Sequence, residues 1–534
     1  MGLLQYLSKN KKSMKKPDLI LYQEYYGNAD PLRNSLDENK KIIQELLGSA
    51  SDVIIRDILV GEEGKDRITI ISIDGLTNTT QVHDFVLKEL MVDLRISSAK
   101  NNQLYKLIDL IKDRSLPINA ISKINDFKTC CERVLSGDTL LLFDNTNECL
   151  SLDTKGWADR GIVEPSSETV IRGPRDSFNE TIRVNTMLVR RRIKDINLRI
   201  VSRVIGTVTK TKVEVMYIEG IANEKIVSDV LARLDLIDVD AILESGYVEE
   251  LIIDEPHSIF PTLYSTERPD VLVGNLLEGR VAIFTDGTPF VLLVPAIFVQ
   301  FFQSVEDYYH RSIFSSFIRI IRYFAFFLAL FTPSIYVAIT TFHQELLPTP
   351  LVISIAGQRE SVPFPAIFEA LIMELTFEIL REAGIRMPRA IGSAISIVGA
   401  LVLGEAAVNA GIVSSIMVII VSITAISSLI VPDYSFANPL RLLRFAFIIL
   451  AATFGFLGIT MGILILTVHL VSLRSFGVPY MYPFAPFNLK GIKDTFIRVP
   501  INKMKERPRI MTEDDIFRQN DQQENIKETV EKKN

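Results

Sequence analysis

Hydrophobic and polar positions along the chain follow two regimes. Up to about residue 280 the apolar runs are short and interrupted. DVIIRDILV (52–60), RITIISI (67–73) and DTLLLFD (138–144) are rich in Val, Ile or Leu and are flanked by Gly or Asp. That pattern predicts strands. TTQVHDFVLKELMVDL (79–94) and NQLYKLIDLIKD (102–113) carry apolar residues near helical spacing and predict helices. Further on, LRIVSRVIGTVTKTKVEVMYIEG (198–220) reads as two strands and KIVSDVLARLDLI (225–237) as a helix. A boundary near 155–165, around Trp157 and Gly161, splits this part into subdomains at 1–160 and 161–285. The expected fold is an α/β soluble region of two subdomains followed by an all-α polytopic membrane region over 286–475. A basic and then disordered tail over 476–534 completes the chain.

The second regime is long and apolar. Tyr323–Phe342 is a 20-residue uncharged run, and at about 1.5 Å per residue it spans a ~30 Å hydrocarbon core. Ala390–Pro432 holds one charge, Glu405, and reads as two spans with a turn near Asn409-Ala410-Gly411. Phe445–Leu473 has 29 residues with no formal charge apart from titratable His469 and reads as one tilted span. Residues 287–305 are uncharged but interrupted by Pro and Gln, and 362–384 carries three glutamates. Each fits a re-entrant, interfacial or water-lining segment. Lys and Arg mark the cytoplasmic side of a membrane protein. Four spans with both ends cytoplasmic suit Arg311, Arg319, Arg322 and the basic residues after Arg474, but leave Arg381, Arg386 and Arg389 outside. A fully spanning 362–382 brings those arginines in and puts the basic tail out.

Composition agrees with a two-part chain. Of 534 residues, 48% are hydrophobic and 23% charged, with a mean hydropathy of +0.24. The formal net charge of −6 argues against nucleic-acid binding. Cys130, Cys131 and Cys149 lack CxxC spacing, so neither a disulfide framework nor a Cys-based zinc site is expected. The N-terminus MGLLQYLSKNKKSMKK has no apolar h-region, and Tyr6 breaks the myristoylation pattern, so a cytoplasmic start is expected. There is no GxSxG, HExxH, Walker or dinucleotide fingerprint, and the five histidines show no ligand spacing. No enzymatic activity, cofactor or metal is expected.

Three groups of residues remain as candidates. On a helix, Glu374 and Glu378 share a face, while Glu369 points to the opposite side. Such a stripe lines a cation path or forms the solvated face of an interfacial helix. Glu405, inside the longest apolar region, is a functional candidate or an interface residue beside the predicted turn. Small residues in 392–411 and in FGFLGITMG (454–462) permit close helix approach. The stretch GPRDSFNETIRVNTMLVRRRI (173–193) has one glycine and no Lys-Ser or Lys-Thr pair, so it is a poor phosphate loop. Ser177-x-x-Glu180 predicts a capping box and a helix start near Phe178. Arg190, Arg191 and Arg192 at the helix end, with Arg172 and Arg175 before it, are candidate contacts for lipid head groups or an acidic partner.

Three long segments also resemble a known family. EPSSETVIRGPRDSFNETIRVNTMLVRRRI (164–193), TERPDVLVGNLLEGRVAIFTDGTPFVLLVPAIFVQFFQSVEDYYHR (266–311) and LREAGIRMPRAIGSAISIVGALVLGEAAVNAG (380–411) are similar to the A subunit of the GerA-family spore germination receptors. The likeness covers roughly residues 50 to 510. It implies a protein of the spore inner membrane, multi-pass, with its N-terminal domain on the cytoplasmic, core side. It implies a permease-like B subunit and a lipoprotein C subunit as partners, and a homo-oligomer that forms a nutrient-gated cation channel. On that reading Glu374, Glu378 and Glu405 attract cations, while Val362, Phe364 and Ile367 close the path by dewetting. A non-conducting scaffold or relay, and an auxiliary channel subunit of the dipicolinate-channel operon type, are the alternatives.

Overall fold

The computed structural model describes residues 30–48, 50–60, 66–82, 121–156, 164–165, 167–386, 404–508, 510–512 and 518. The first subdomain begins with α1 (Leu36–Leu46), whose N-cap Ser35 accepts a hydrogen bond from the Glu38 backbone. Strands β1 (Val53–Val60), β2 (Asp66–Ile73) and β3 (Ile121–Ile124) follow. After them come α2 (Phe127–Leu135), β4 (Thr139–Phe143) and β5 (Cys149–Leu152). The sheet order is β1-β2-β4-β5-β3, antiparallel throughout. The expected strands at 52–60, 67–73 and 138–144 are β1, β2 and β4. Most of the expected helix at 79–94, and all of that at 102–113, lies outside the described residues. All three cysteines are buried, free thiols.

The second subdomain contains α3 (Ile182–Arg192), β6 (Leu198–Ile205), β7 (Thr211–Ile218), α4 (Glu224–Asp235) and α5 (Ser245–Ile252). It closes with β8 (Tyr264–Thr266), α6 (Pro269–Leu276), β9 (Val281–Thr285) and β10 (Val291–Val294). Its order, β6-β7-β9-β10-β8, repeats the first sheet strand for strand. The repeat is also visible in the residues. ISIDGLTN (71–78) aligns with MYIEGIAN (216–223). Gly75 and Gly220 turn at φ +86° and +79°, and Asn78 and Asn223 each cap the next helical turn. Asp-Asn-Thr at 144–146 matches Asp-Gly-Thr at 286–288, with Asn145 at φ +57° and Gly287 at +91°. The two units are docked together: Arg190 donates to both carboxylate oxygens of Asp52, at 2.8 and 3.1 Å.

Residues 287–305, ambiguous in sequence, belong to the soluble region. They form β10 and a 3-10 turn at Phe298–Phe302. That turn plugs the junction with the helices: Phe302 stacks on Tyr323 at 4.3 Å and Phe301 on Phe436 at 5.1 Å.

The helical region consists of α7 (Ser312–Thr341), α8 (Thr349–Arg359), α9 (Ala366–Arg386), α10 (Ser415–Ile430) and α11 (Tyr434–Ser472). α11 is not one rod. Gly455, at φ +60° and ψ −138°, interrupts it, in a region open to glycine because it lacks Cβ. The arms 434–454 and 456–472 fold back on each other. A Cβ on Gly462 would lie 2.5 Å from Phe447 Cε1, and one on Gly458 would collide with the Leu450 carbonyl. In a straight helix, 15 residues rise about 22 Å, so these contacts require a hairpin. The single span expected over Phe445–Leu473 is therefore corrected to two arms. The small residues of FGFLGITMG make the turn and its tight packing.

Both open ends of the hairpin reach the soluble region. Phe436 lies 5.9 Å from Phe260, and His469 Nε2 is 3.1 Å from Ser258 Oγ. The tip meets the far end of α7, where a Cβ on Gly455 would lie 2.6 Å from His343 Cε1. After the hairpin the chain returns along the second subdomain, pairing Thr512 with Ala222.

Candidate functional site

The acidic face of α9 is turned inside the chain, with Glu374 Oε1 buried and without a hydrogen-bond partner. Glu374 and Glu378, placed on one face by their spacing, both reach the arm 434–454. Glu374 accepts a 2.6 Å bond from Arg444 Nη1, and Arg444 Nε donates to the Ala329 carbonyl of α7 at 2.9 Å. Glu378 accepts from Arg441 Nε at 3.0 and 2.9 Å. Glu369 points the other way, as 100° per residue requires. It is fully buried and accepts from Ser414 N at 3.0 Å, Ser414 Oγ at 2.9 Å and Arg359 Nε at 3.2 Å. Arg381 lies over the Tyr434 ring at 5.4 Å. These contacts set the direction of α9: Glu369 sits with Ser414 at the far end, and Arg381 sits with Tyr434 at the soluble end. The helix therefore traverses the bundle. Sequence reasoning missed Arg359, Arg441, Arg444 and Ser414. The available signal was the i, i+3 spacing of Arg441 and Arg444 immediately before an uncharged run, which places both on one face.

Glu405 differs from the other three. It is exposed on a helical turn at 404–409 and makes no hydrogen bond or ion pair among the described residues. The following turn, with Gly411 at φ +64°, packs against the corner between α8 and α9: a Cβ there would lie 3.0 Å from the Ser361 carbonyl oxygen. That corner carries Val362 and Ile367, both half-buried, and Phe364, which is 41% exposed. The structure thus brings the three apolar candidates to the end of the bundle reached by the Glu405 segment. Glu374 and Glu378 stand further toward the soluble region.

The basic helix is organised differently from its sequence signature. No capping box forms at Ser177. Phe178 N donates to the Glu267 carbonyl at 2.8 Å and Ser177 Oγ to the same oxygen at 3.0 Å, which holds this stretch extended. α3 starts at Ile182 after Thr181, and Asp286 caps it from the sheet by accepting from Ile182 N at 3.1 Å. Arg190 is turned inward against Asp52 and is 3% exposed. Arg192 donates to Asp176 at 2.7 and 2.6 Å. Arg175 pairs with Glu164 at 3.2 Å on the surface. Arg172 is exposed and Arg191 half-buried.

Two carboxylates of the second subdomain have raised pKa values. Burial pushes Glu168 up to about 7, against a hydrogen bond from Thr266 that lowers it. Burial likewise pushes Glu249 to about 7. Among the described residues no group of three or more His, Cys, Asp or Glu is placed to hold a metal ion.

Residues 41–510 match the family model described as Bacillus/Clostridium GerA spore germination protein. The chain is 49% identical over 485 residues to spore germination protein KA of Bacillus subtilis (strain 168), covering 91% of this chain and 88% of that one. It is 40% identical over 493 residues to spore germination protein GerLA of Bacillus cereus, covering 92% and 99%. Among solved structures, it is similar to the N-terminal domain of the A subunit of the Bacillus megaterium spore germinant receptor GerK3. That likeness is 40% identity over 51% of this chain and 99% of the other, with a TM-score of 0.40.

Proposed function

The chain belongs to the Bacillus/Clostridium GerA spore germination protein family, and from that premise we propose that it is the channel-forming A subunit of a nutrient germinant receptor. It sits in the spore inner membrane with its soluble region on the core side, beside a permease-like B subunit and a lipoprotein C subunit. Copies of the chain associate around a cation path that nutrient binding in the complex opens. A nutrient can gate that path only by favouring the open state over the closed one.

Topology supports the orientation. The hairpin at Gly455 adds one crossing, and the traversing α9 adds another. With α7, α10 and the span that the sequence predicts before the Gly411 turn, the count comes to six crossings. An even number returns it to the side it left. Arg381, Arg386 and the basic residues after Arg474 then all share the soluble region's side, as the positive-inside tendency asks. A six-crossing chain would reconcile the four-span and five-span readings of the sequence.

The observation that carries the channel reading is the contrast among the glutamates. An ionisable group at membrane depth normally faces protein or water. Glu369, Glu374 and Glu378 are neutralised by Arg359, Arg444 and Arg441, and they hold the bundle together. Glu405 is exposed and unpaired among the described residues, so it fits a surface completed by neighbouring copies. There it supplies the negative ring, with Val362, Phe364 and Ile367 at the same end as the apolar constriction. The test is a Glu405→Cys chain treated with a short bismaleimide in membranes. The native thiols are buried, so ladders of linked chains report convergence of this position. Linking no greater than for Leu457→Cys, on the returning arm, contradicts the ring.

A further inference from the structure

The segment that follows the hairpin carries a surface that the receptor reading leaves unused. It docks along the first turns of α7. Arg319 Nη1 donates to the Asp494 backbone and side chain at 2.8 Å each. Arg498 N donates to Ser316 Oγ at 3.0 Å. Phe496 packs on Tyr323 at 4.7 Å between ring centroids. Tyr323 is the residue at which the uncharged run of α7 begins. Residues 494–498 therefore lie at the level where α7 passes from charged to apolar surroundings.

At this level the segment exposes what a soluble surface avoids. Phe487 is 70% exposed, Leu489 71%, Ile497 60% and Ile501 54%. Beside them, the opening turns of α7 expose Ile313 at 86% and Phe317 at 60%. Ile497 thus lies beside α7, between Phe496 on Tyr323 and Arg498 on Ser316. Its charge is one-sided. Between 484 and 505 the sequence holds four lysines and one arginine against a single acid, Asp494, and Asp494 is taken up by Arg319 and Tyr308. Lys493 and Lys503 are exposed, close in sequence to Ile497 and Ile501, and both border a cavity shared with Glu278. Apolar residues interleaved with lysine characterise segments that lie in the plane of an anionic bilayer.

We infer that residues 484–503 form an in-plane platform in the headgroup layer of an anionic phospholipid leaflet, around the base of α7. The inference rests on the membrane reading of α7. Phe487, Leu489, Ile497 and Ile501 enter the acyl boundary, and Lys493 and Lys503 meet lipid phosphates. The platform holds the second subdomain at a fixed height, because the same segment continues to Thr512 on the edge of that subdomain.

The chain has one tryptophan, Trp157, so a W157F background permits single-tryptophan probes. The full chain is reconstituted in phosphatidylglycerol/phosphatidylcholine vesicles whose acyl chains are brominated near the headgroup. Probes are I497W on the platform, F327W inside α7 and L236W on the soluble surface. Ile497→Trp is expected to lose fluorescence relative to unbrominated vesicles, and less so when phosphatidylglycerol is omitted. Leu236→Trp is expected to be unaffected. Quenching of F327W without quenching of I497W overturns the platform and leaves the membrane reading standing. No quenching of either overturns the membrane reading, and the platform with it. Quenching of I497W that ignores phosphatidylglycerol overturns the preference for an anionic leaflet.

Discussion

Glu374 and Arg444 are 0% and 1% exposed at their side chains. Replacing Glu374 with Gln leaves the guanidinium of Arg444 buried without its counter-charge, a loss of about 3–5 kcal/mol for a pair of this kind. Any fall in activity of E374Q then reports on folding as much as on conduction. Glu405 avoids that ambiguity because nothing in the described fold depends on its charge. Glu168 offers a test outside the membrane. Burial raises its pKa from 4.5 to about 7, so the folded chain holds this proton over a range in which the unfolded chain has lost it. Stability from this group is therefore present at acid pH and is lost as pH rises through about 7. Glu168→Gln, which keeps a partner for Thr266, removes that dependence. Melting of the detergent-solubilised chain is expected to show no gap between the two at about pH 4 and a higher melting temperature for E168Q at about pH 8. A gap that stays constant with pH contradicts it.

Among the elements, the hairpin in Tyr434–Ser472 changes the picture most. One rod would put its two ends on opposite sides of a bilayer, whereas a hairpin puts them on one side. Ser435→Cys and Ser472→Cys are expected to react with a membrane-impermeant maleimide from the same side, and Thr453→Cys from the other. Opposite labelling of 435 and 472 contradicts the hairpin. This element also shows what was legible in the sequence. Strands β1, β2, β4, β6 and β7 announced themselves through short runs rich in Val, Ile or Leu between turn residues, and α4 and α7 through length and periodicity. Gly455 did not. Hydropathy is blind to a reversal inside an apolar run, and the glycine looked like one of several small packing residues. The capping box failed for a related reason. A local pattern at Ser177 lost to backbone bonds with Glu267, 90 residues away in sequence. The repeat of the two sheets was readable in ISIDGLTN and MYIEGIAN, but it spans about 145 residues and emerges only when strand orders are compared. At the candidate site, the pairing face of Glu374 and Glu378 followed from helical spacing. Their partners did not, because they come from a distant arm.

At the scale of the molecule, one buried cluster runs from the first sheet through the second and into the helices. The aromatic plug around Phe298, Phe302 and Phe436 sits at the join. Packed interiors transmit strain rather than absorb it, so this join is placed to couple the soluble region to α7 and the hairpin. That continuity suits the proposed receptor role, in which partners act on one part and the ion path lies in another. The most direct measurement is nutrient-triggered potassium release from spores whose only receptor contains this chain, comparing the wild type with Glu405→Gln at matched protein level. The account predicts slowed or abolished release in the variant. Release at the wild-type rate contradicts an ion path lined by this subunit at Glu405.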